Sequence, residues 1–137
     1  YIRATTGGYE KAPGEDDASI ALGITGYKGR VHVAFGGEIV DEAVDAKQLA
    51  AEMDRRILTG YRLFPVHYLA YAMWEGRDEA LAVPALESLF GAEEIARARA
   101  EWQRRLNACP EAHRPWLVLQ YANPVRNQYR TQAGLPL

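Results

Sequence analysis

The chain has little of what most disulfide-linked, metal-binding or membrane-spanning proteins depend on. Its 137 residues include one cysteine, Cys109, which excludes an intrachain disulfide and a zinc site built on several cysteines. No apolar run approaches the roughly 20 residues that a membrane-spanning helix requires, and no signal peptide is evident. The net charge of −2 gives no reason to expect nucleic acid as a partner. What remains is the composition of one ordinary globular domain, with 48% apolar and 25% charged residues.

Local motifs for catalysis are also missing. The three histidines, His32, His67 and His113, begin neither a His-x-x-x-x-Asp nor a His-Glu-x-x-His pattern. The only serines, Ser19 and Ser88, do not lie in a Gly-x-Ser-x-Gly elbow, and no Walker-type phosphate loop is present. The sequence therefore predicts no catalytic residue, no metal site and no cofactor.

The chain divides into a glycine-rich part, residues 1–40, and a helical part, residues 41–137. In the first part, residues 30–35 alternate polar and apolar side chains and predict one strand, preceded by a short helix over residues 18–24. A lone strand needs a partner, which either residues 1–12 or sequence outside this chain would supply. We therefore expect an α+β, mostly helical fold, in which a short N-terminal strand region precedes a C-terminal helical bundle.

Capping and breaking residues place the helices of the second part. Asp45 is a plausible N-cap for a helix that ends at Gly60, and Leu49, Met53 and Ile57 give that helix one apolar face. Pro65 is a good first-turn residue for the next helix. Further helices are predicted over residues 78–89, 92–108 and 115–122, the last of them limited by Pro124.

Charged side chains of the glycine-rich part leave two interpretations open. Lys11, Lys28 and Arg30 are candidate contacts for a substrate phosphate, although solvated surface charge explains them as well. The acidic residues 15–17 favour the start of a helix over a cation site. His32 would lie on the second face of the predicted strand, as a packed or surface residue rather than a ligand.

An aromatic cluster is the most unusual feature of the helical part. It predicts a central helix buried on most sides, a surface at the edge of a membrane, or a docking face for the remainder of a longer protein. The arginines between residues 97 and 105 are spread around a helix with Glu93, Glu94 and Glu101 nearby, and they predict an exposed, salt-bridged helix face. The members of the aromatic cluster are Tyr61, Phe64, Tyr68, Tyr71 and Trp74.

The chain resembles a bacterial family of glycerol acyltransferases, relatives of the enzymes that acylate 1-acylglycerol-3-phosphate. The resemblance lies in three segments: GYEKAPGEDD at 8–17, continued by Ser19-Ile20, GYKGRVHVAFG at 26–36 and QYANPVRNQ at 120–128. It covers nearly the whole chain, from about residue 9 to residue 128. These segments are family markers rather than catalytic motifs.

The resemblance implies that the chain is the non-catalytic C-terminal part of such a protein. The family's His-x-x-x-x-Asp motif, in which the His is the general base, and its later Pro-Glu-Gly-type motif belong to the N-terminal half, and neither is present here. Residues 1–40 would then end the α/β acyltransferase domain, with the predicted strand late in its sheet, and residues 41–137 would be a helical extension. The first residue, Tyr1 rather than Met, is also what we expect of a processed or truncated product.

The resemblance further implies the chemistry of the parent protein, which belongs to phospholipid biosynthesis. An acyl group would pass from acyl-CoA or acyl-carrier protein to a lysophospholipid-type acceptor, without a cofactor. The missing N-terminal catalytic part would be the main partner of this chain. The expected location is the cytoplasm, with the surface of the inner membrane as a further partner. The alternative is a stand-alone helical interaction module without enzymatic activity.

Overall fold

The computed structural model describes residues 2–27, 29–39 and 45–136. Helices dominate these ranges, which confirms the mostly helical character expected from the sequence, and no strand is found within them. The elements are α1 (Ile2–Thr6), α2 (Glu15–Thr25), α3 (Ala46–Gly60), α4 (Pro65–Met73), α5 (Leu86–Leu89), α6 (Ala92–Ala108), a 3-10 turn (Glu111–His113) and α7 (Arg114–Gln132).

The predicted strand over residues 30–35 is wrong. This segment has neither helical nor strand structure, and the side chains of Val31, Val33 and Phe35 are 73%, 67% and 94% exposed. The alternating pattern indicates an apolar face, but a strand also needs a hydrogen-bonded neighbour. Residues 1–12 were one expected source of that neighbour, but Ile2–Thr6 form the short helix α1 and residues 7–12 have neither helical nor strand structure.

The chain separates into two compact units, and the first extends as far as Val33. Its main element is α2, which begins after Gly14 in the left-handed conformation (φ 78°). Glu15, Asp16 and Asp17 occupy the first turn, where their charge complements the exposed N–H groups of the helix, as the sequence predicts. The helix is longer than the predicted range 18–24, and none of its residues is buried.

The second unit begins at Ala34 and contains α3 to α7. At the start of α3, the Asp45 carboxylate accepts the N–H of Gln48 at 2.8 Å, and the Gln48 side chain accepts the N–H of Asp45 at 3.2 Å. This capping box confirms the predicted N-cap. The helix ends at Gly60, also as predicted.

The core of the second unit lies where α4 packs against α6 and α7. Its centre is closely packed, since Pro65 and Val125 are fully buried and Ala70 and Ala122 have no exposed surface. Helix α3 contributes through contacts with α7. The buried residues of this core are Leu63, Tyr68, Leu69, Ala70, Tyr71, Trp102, Leu106, Val118, Ala122 and Val125.

The segment between α4 and α6 is less helical than predicted. Within residues 78–89, only Leu86–Leu89 forms an α-helix. The Asp78 carboxylate accepts the N–H of Ala80 at 3.1 Å, and such a local bond gives the backbone an alternative to the helix. Pro84 also lacks the N–H that a helix interior needs. The next helix, α6, has the predicted bounds.

Helix α7 corrects the prediction that Pro124 limits the last helix. It runs from Arg114 to Gln132, with Pro124 in its interior. Proline removes one helical hydrogen bond, to the carbonyl of Gln120, and Gln120 is exposed, so that water can reach its surface. Beyond the proline, Val125 and Gln128 are buried. Their burial against the rest of the unit outweighs the lost bond and keeps the chain helical.

Candidate functional site

The proposed phosphate contacts lie around α2. The Lys11 ammonium pairs with the Asp16 carboxylate at 2.7 Å, and both side chains are largely exposed. Arg30 follows α2 in the segment without regular structure and is also exposed. Lys28 lies outside the described residues. An exposed pair such as Lys11–Asp16 contributes little to stability, so that Lys11 can exchange its partner for another anion at small cost.

Two of the five aromatic residues proposed as a docking surface belong to the core. Tyr68 and Tyr71 are both buried. The hydroxyl groups of Tyr68 and Tyr129 are 3.1 Å apart and share a hydrogen bond, and the Tyr71 hydroxyl donates to the carbonyl of Asp78 at 3.1 Å. Burial is the main reason that the pKa values of both phenols lie above their usual range. These two rings therefore hold α4 in place and expose less than a tenth of their surface.

The other three aromatic residues reach solvent to different extents. Tyr61 is exposed, whereas Phe64 and Trp74 are half-buried. The Arg126 guanidinium lies 5.8 Å from the centre of the Trp74 ring, within range of a cation–π contact. The cluster thus divides between the core and the surface, and the sequence pattern alone does not separate the two sets.

Trp74 borders an open groove of about 770 Å³ between the end of α4 and the start of α7. Its apolar walls include Met73, Trp74 and Trp116, and Glu75 and Glu111 contribute carboxylates to its lining. Trp116 is 48% exposed, and sequence reasoning missed it. The sequence signal for Trp116 was its position directly after a first-turn proline, at the start of a helix with few charged residues nearby.

A second groove, of about 640 Å³, lies where α4 and α6 meet the segment around α5. Leu86, Trp102 and Met73 form part of its apolar lining, and the indole N–H of Trp102 donates to the Met73 sulfur at 3.0 Å. Arg77 and Arg99 also line it. Their guanidinium groups lie 3.3 Å from Glu79 and 3.7 Å from Glu87, respectively, in exposed pairs.

His67 is the histidine with the most defined surroundings. Its Nδ1 accepts the backbone N–H of Phe64 at 2.9 Å, and the backbone N–H of His67 donates to the Phe64 carbonyl at 2.9 Å. The imidazole also stacks on Tyr121, with ring centres 6.1 Å apart. Burial is the first reason that the pKa of His67 lies below its usual value. A neutral imidazole in this position acts as a helix cap, because Nδ1 is engaged as an acceptor.

The described residues contain no group of three or more His, Cys, Asp or Glu side chains that could hold a metal ion. The Ser88 hydroxyl donates to the Ala85 carbonyl at 2.6 Å, a local bond at the start of α5. In the part of the chain that the structure describes, no helix combines the length and the apolar character needed to cross a bilayer. The two grooves offer apolar side chains and surface charges.

Comparison of the chain with protein-family models, with curated proteins and with solved structures gave no match.

Proposed function

We propose that this chain is the non-catalytic helical part of a glycerolipid acyltransferase-like protein, and that it docks on the catalytic part of that protein. One observation supports this most directly. Val31, Val33 and Phe35 are strongly exposed, and all three lie within residues 26–36, a segment that resembles the family. Exposed apolar side chains in series are typical of surfaces that bury themselves against a partner.

Helix α3 supplies a second surface of the same kind. Leu49, Met53 and Ile57, one helical turn apart, are 38%, 48% and 54% exposed, while Leu58 on the opposite face is buried. The helix therefore buries Leu58 on its inner side and carries an exposed apolar row on its outer side. In the proposed full protein this row packs against residues outside the present chain.

In this proposal the chemistry belongs to the other part of the protein. A histidine there removes the proton from the acceptor hydroxyl, the oxygen attacks the thioester carbonyl, and the thiol of the donor leaves. The acyl donor is acyl-CoA or acyl-carrier protein, and the acceptor is of the lysophospholipid type. Lys11, Lys28 and Arg30 are the proposed contacts of this chain with the acceptor's phosphate, since cationic side chains suit that group.

A stand-alone interaction module is the second candidate, and one observation favours it. The second unit has a packed core of its own, with Val125 and Pro65 fully buried and a complete capping box at the start of α3. Such a unit needs no catalytic partner to fold. Its exposed groove beside Trp74 and Trp116 would then bind an apolar segment of another protein or the edge of a membrane.

The coding sequence upstream of the present first codon separates the two candidates. An in-frame His-x-x-x-x-Asp motif about 200 residues upstream would support the acyltransferase proposal, the distance being our rough expectation for one preceding catalytic domain. A start codon directly before Tyr1 would refute it and leave the interaction module.

Docking itself can be tested in the full gene product with a matched pair of variants. Phe35→Asp places a carboxylate in the proposed interface, and Leu22→Asp places one on α2, outside the matching segments. Burying an unpaired charge costs several kcal/mol, so we expect Phe35→Asp to reduce acyl transfer by more than about tenfold. Leu22→Asp should leave it unchanged. Equal activity of the two variants would contradict the docking proposal.

A further inference from the structure

The start of α4 depends on a neutral histidine. The Phe64 N–H, one of the donors that a helix N-terminus leaves without an intrahelical partner, is accepted by His67 Nδ1 at 2.9 Å. In a neutral imidazole that accepts at Nδ1, the proton resides on Nε2. Protonation adds a hydrogen at Nδ1, which turns the acceptor into a donor facing another donor. The hydrogen bond to Phe64 cannot survive that change.

Two arginines lie against the aromatic rings that border His67. From the chain before α4, the Arg62 guanidinium lies 5.9 Å from the Phe64 ring, which is itself 6.0 Å from the imidazole. From α6, Arg105 lies 5.6 Å from the Tyr121 ring and donates to the Tyr121 hydroxyl at 2.6 Å. From α7, Tyr121 stacks on the imidazole.

Glu101, the carboxylate that pairs with Arg105, is shared with a second arginine. Glu101 accepts from Arg105 at 3.0 Å and is also paired with Arg104. Its charge is therefore shared between two guanidinium groups. The N-terminus of α4 adds the positive end of a helix dipole. A second cation at this position would add to the positive charge of two arginines that border the neighbouring rings and of a helix N-terminus.

Three contacts among the described residues anchor the connection between α3 and α4. Gln128 donates to the carbonyls of Leu58 and Tyr61, Leu63 is buried in the core, and His67 holds the N–H of Phe64. Loss of the histidine contact removes one anchor and leaves two. Acid is thus expected to open this connection locally, before the unit unfolds as a whole.

We propose that His67 is a pH-sensitive latch that closes the connection between α3 and α4 in its neutral form and releases it on protonation. The consequence is regulatory, because α3 carries the exposed row of Leu49, Met53 and Ile57, and its attachment through this connection becomes looser in acid. The latch is a property of the helical unit, whereas its regulatory consequence rests on the proposed docking of α3.

Burial lowers the pKa of His67 in the folded state and outweighs the opposite, raising effect of the hydrogen bond with the Phe64 backbone, so the net shift sets the direction of the effect. The closed form is fully favoured above the pKa of an unrestrained histidine, about 6.5, and loses that advantage as the pH falls from there toward the lower folded-state pKa. One linked proton limits the change in the opening equilibrium to about tenfold per pH unit within this window.

Amide hydrogen exchange by NMR on the whole 137-residue chain tests the latch. The protection factor of the Phe64 amide, which is normalised for the intrinsic pH dependence of exchange, should be constant above about pH 6.5 and fall below it. His67→Gln is the matched variant, because a glutamine three residues after the N-cap can accept the same N–H and does not titrate. Its Phe64 protection should not change between pH 7.5 and pH 5. His67→Phe keeps a ring but removes the acceptor, and should show low protection at both pH values.

Two results would overturn the proposal. The first is an equal loss of Phe64 protection in the wild type and in His67→Gln as the pH falls. The second is an imidazole titration of His67, followed by NMR in the wild type, with a midpoint at or above that of an unrestrained histidine. The second measurement requires no variant, so it decides the question even where a substitution disturbs the fold.

Discussion

Gln128 on α7 reaches Leu58 near the end of α3, 70 residues earlier, and donates its side-chain N–H to the Leu58 carbonyl at 2.9 Å. The same nitrogen donates to the Tyr61 carbonyl at 2.8 Å. The last carbonyls of a helix have no partner within the helix, and buried ones must find one elsewhere. Gln128 is the buried polar side chain among the described residues, and this double contact joins the last turn of α3 to α7.

Replacement of Gln128 by methionine should destabilise the chain by about 1–3 kcal/mol. Methionine preserves most of the volume, so the loss reports the Gln128 donor that both carbonyls lose, although the Leu58 carbonyl keeps the N–H of Tyr61 at 3.3 Å. Urea unfolding followed by circular dichroism measures it. Gln120→Met, at an exposed position of the same helix, is the control and should change stability by less than about 0.5 kcal/mol. Equal effects at the two positions would show that the Gln128 contact does not stabilise the fold.

Neighbouring residues on α3 should respond very differently to truncation. Leu58 is 7% exposed and Ile57 is 54% exposed. We expect Leu58→Ala to cost about 2–5 kcal/mol, as buried leucines do, and Ile57→Ala to cost less than about 0.5 kcal/mol. The free energy of unfolding of each variant, determined at two protein concentrations, gives these costs. A large cost for Ile57→Ala that grows with concentration would mean that copies of the chain cover this face in solution.

Pro124→Ala should stabilise the chain. The proline lies inside α7, where it removes a hydrogen bond and disfavours the helix by about 3 kcal/mol relative to alanine. Greater freedom of the alanine variant in the unfolded state offsets part of this gain, which leaves about 1–2 kcal/mol. Thermal unfolding measures the change. The control is Pro115→Ala, because Pro115 lies in the first turn of the helix, where a proline costs no helical hydrogen bond. A loss of stability in Pro124→Ala would indicate that the proline ring itself is required for packing.

Tyr68 should make the chain sensitive to alkali. Burial, followed by the hydrogen bond with Tyr129, raises the pKa of the Tyr68 phenol above its usual value. The stability that Tyr68 contributes is therefore complete below about pH 10, where the unfolded phenol is still protonated, and is lost as the pH rises further. Tyr68→Phe should cost about 1 kcal/mol near neutral pH and show a shallower loss from pH 9 to pH 11. The exposed control, Tyr61→Phe, should follow the wild type at every pH.

Helix starts were the part of the fold that the sequence predicted best. Asp45 and Pro65 act through residues close to them in the chain, as N-cap and first-turn proline, and α6 has regular periodicity over 17 residues. The deciding contacts were distant where the prediction failed for α7. Helix α7 continues past Pro124 because Val125 and Gln128 are buried against other elements, which the local pattern does not show.

The candidate surfaces were predicted only in part, for a related reason. Periodicity identified the apolar rows of residues 31–35 and of α3, but it does not say whether this chain or another one covers them. The aromatic cluster showed the same ambiguity, since Tyr68 and Tyr71 are buried whereas Tyr61 is exposed. Three-dimensional packing, rather than composition, separates core residues from surface residues there.

Thioester-dependent acyl transfer, measured for the product of the complete gene beside the isolated 137-residue chain, tests the central proposal most directly. The acyl donor is acyl-CoA or acyl-carrier protein, and the acceptor is a lysophospholipid. The account predicts transfer by the complete product and none by the isolated chain, because this chain lacks the His-x-x-x-x-Asp motif. Transfer by the isolated chain, or inactivity of a folded complete product, would contradict it.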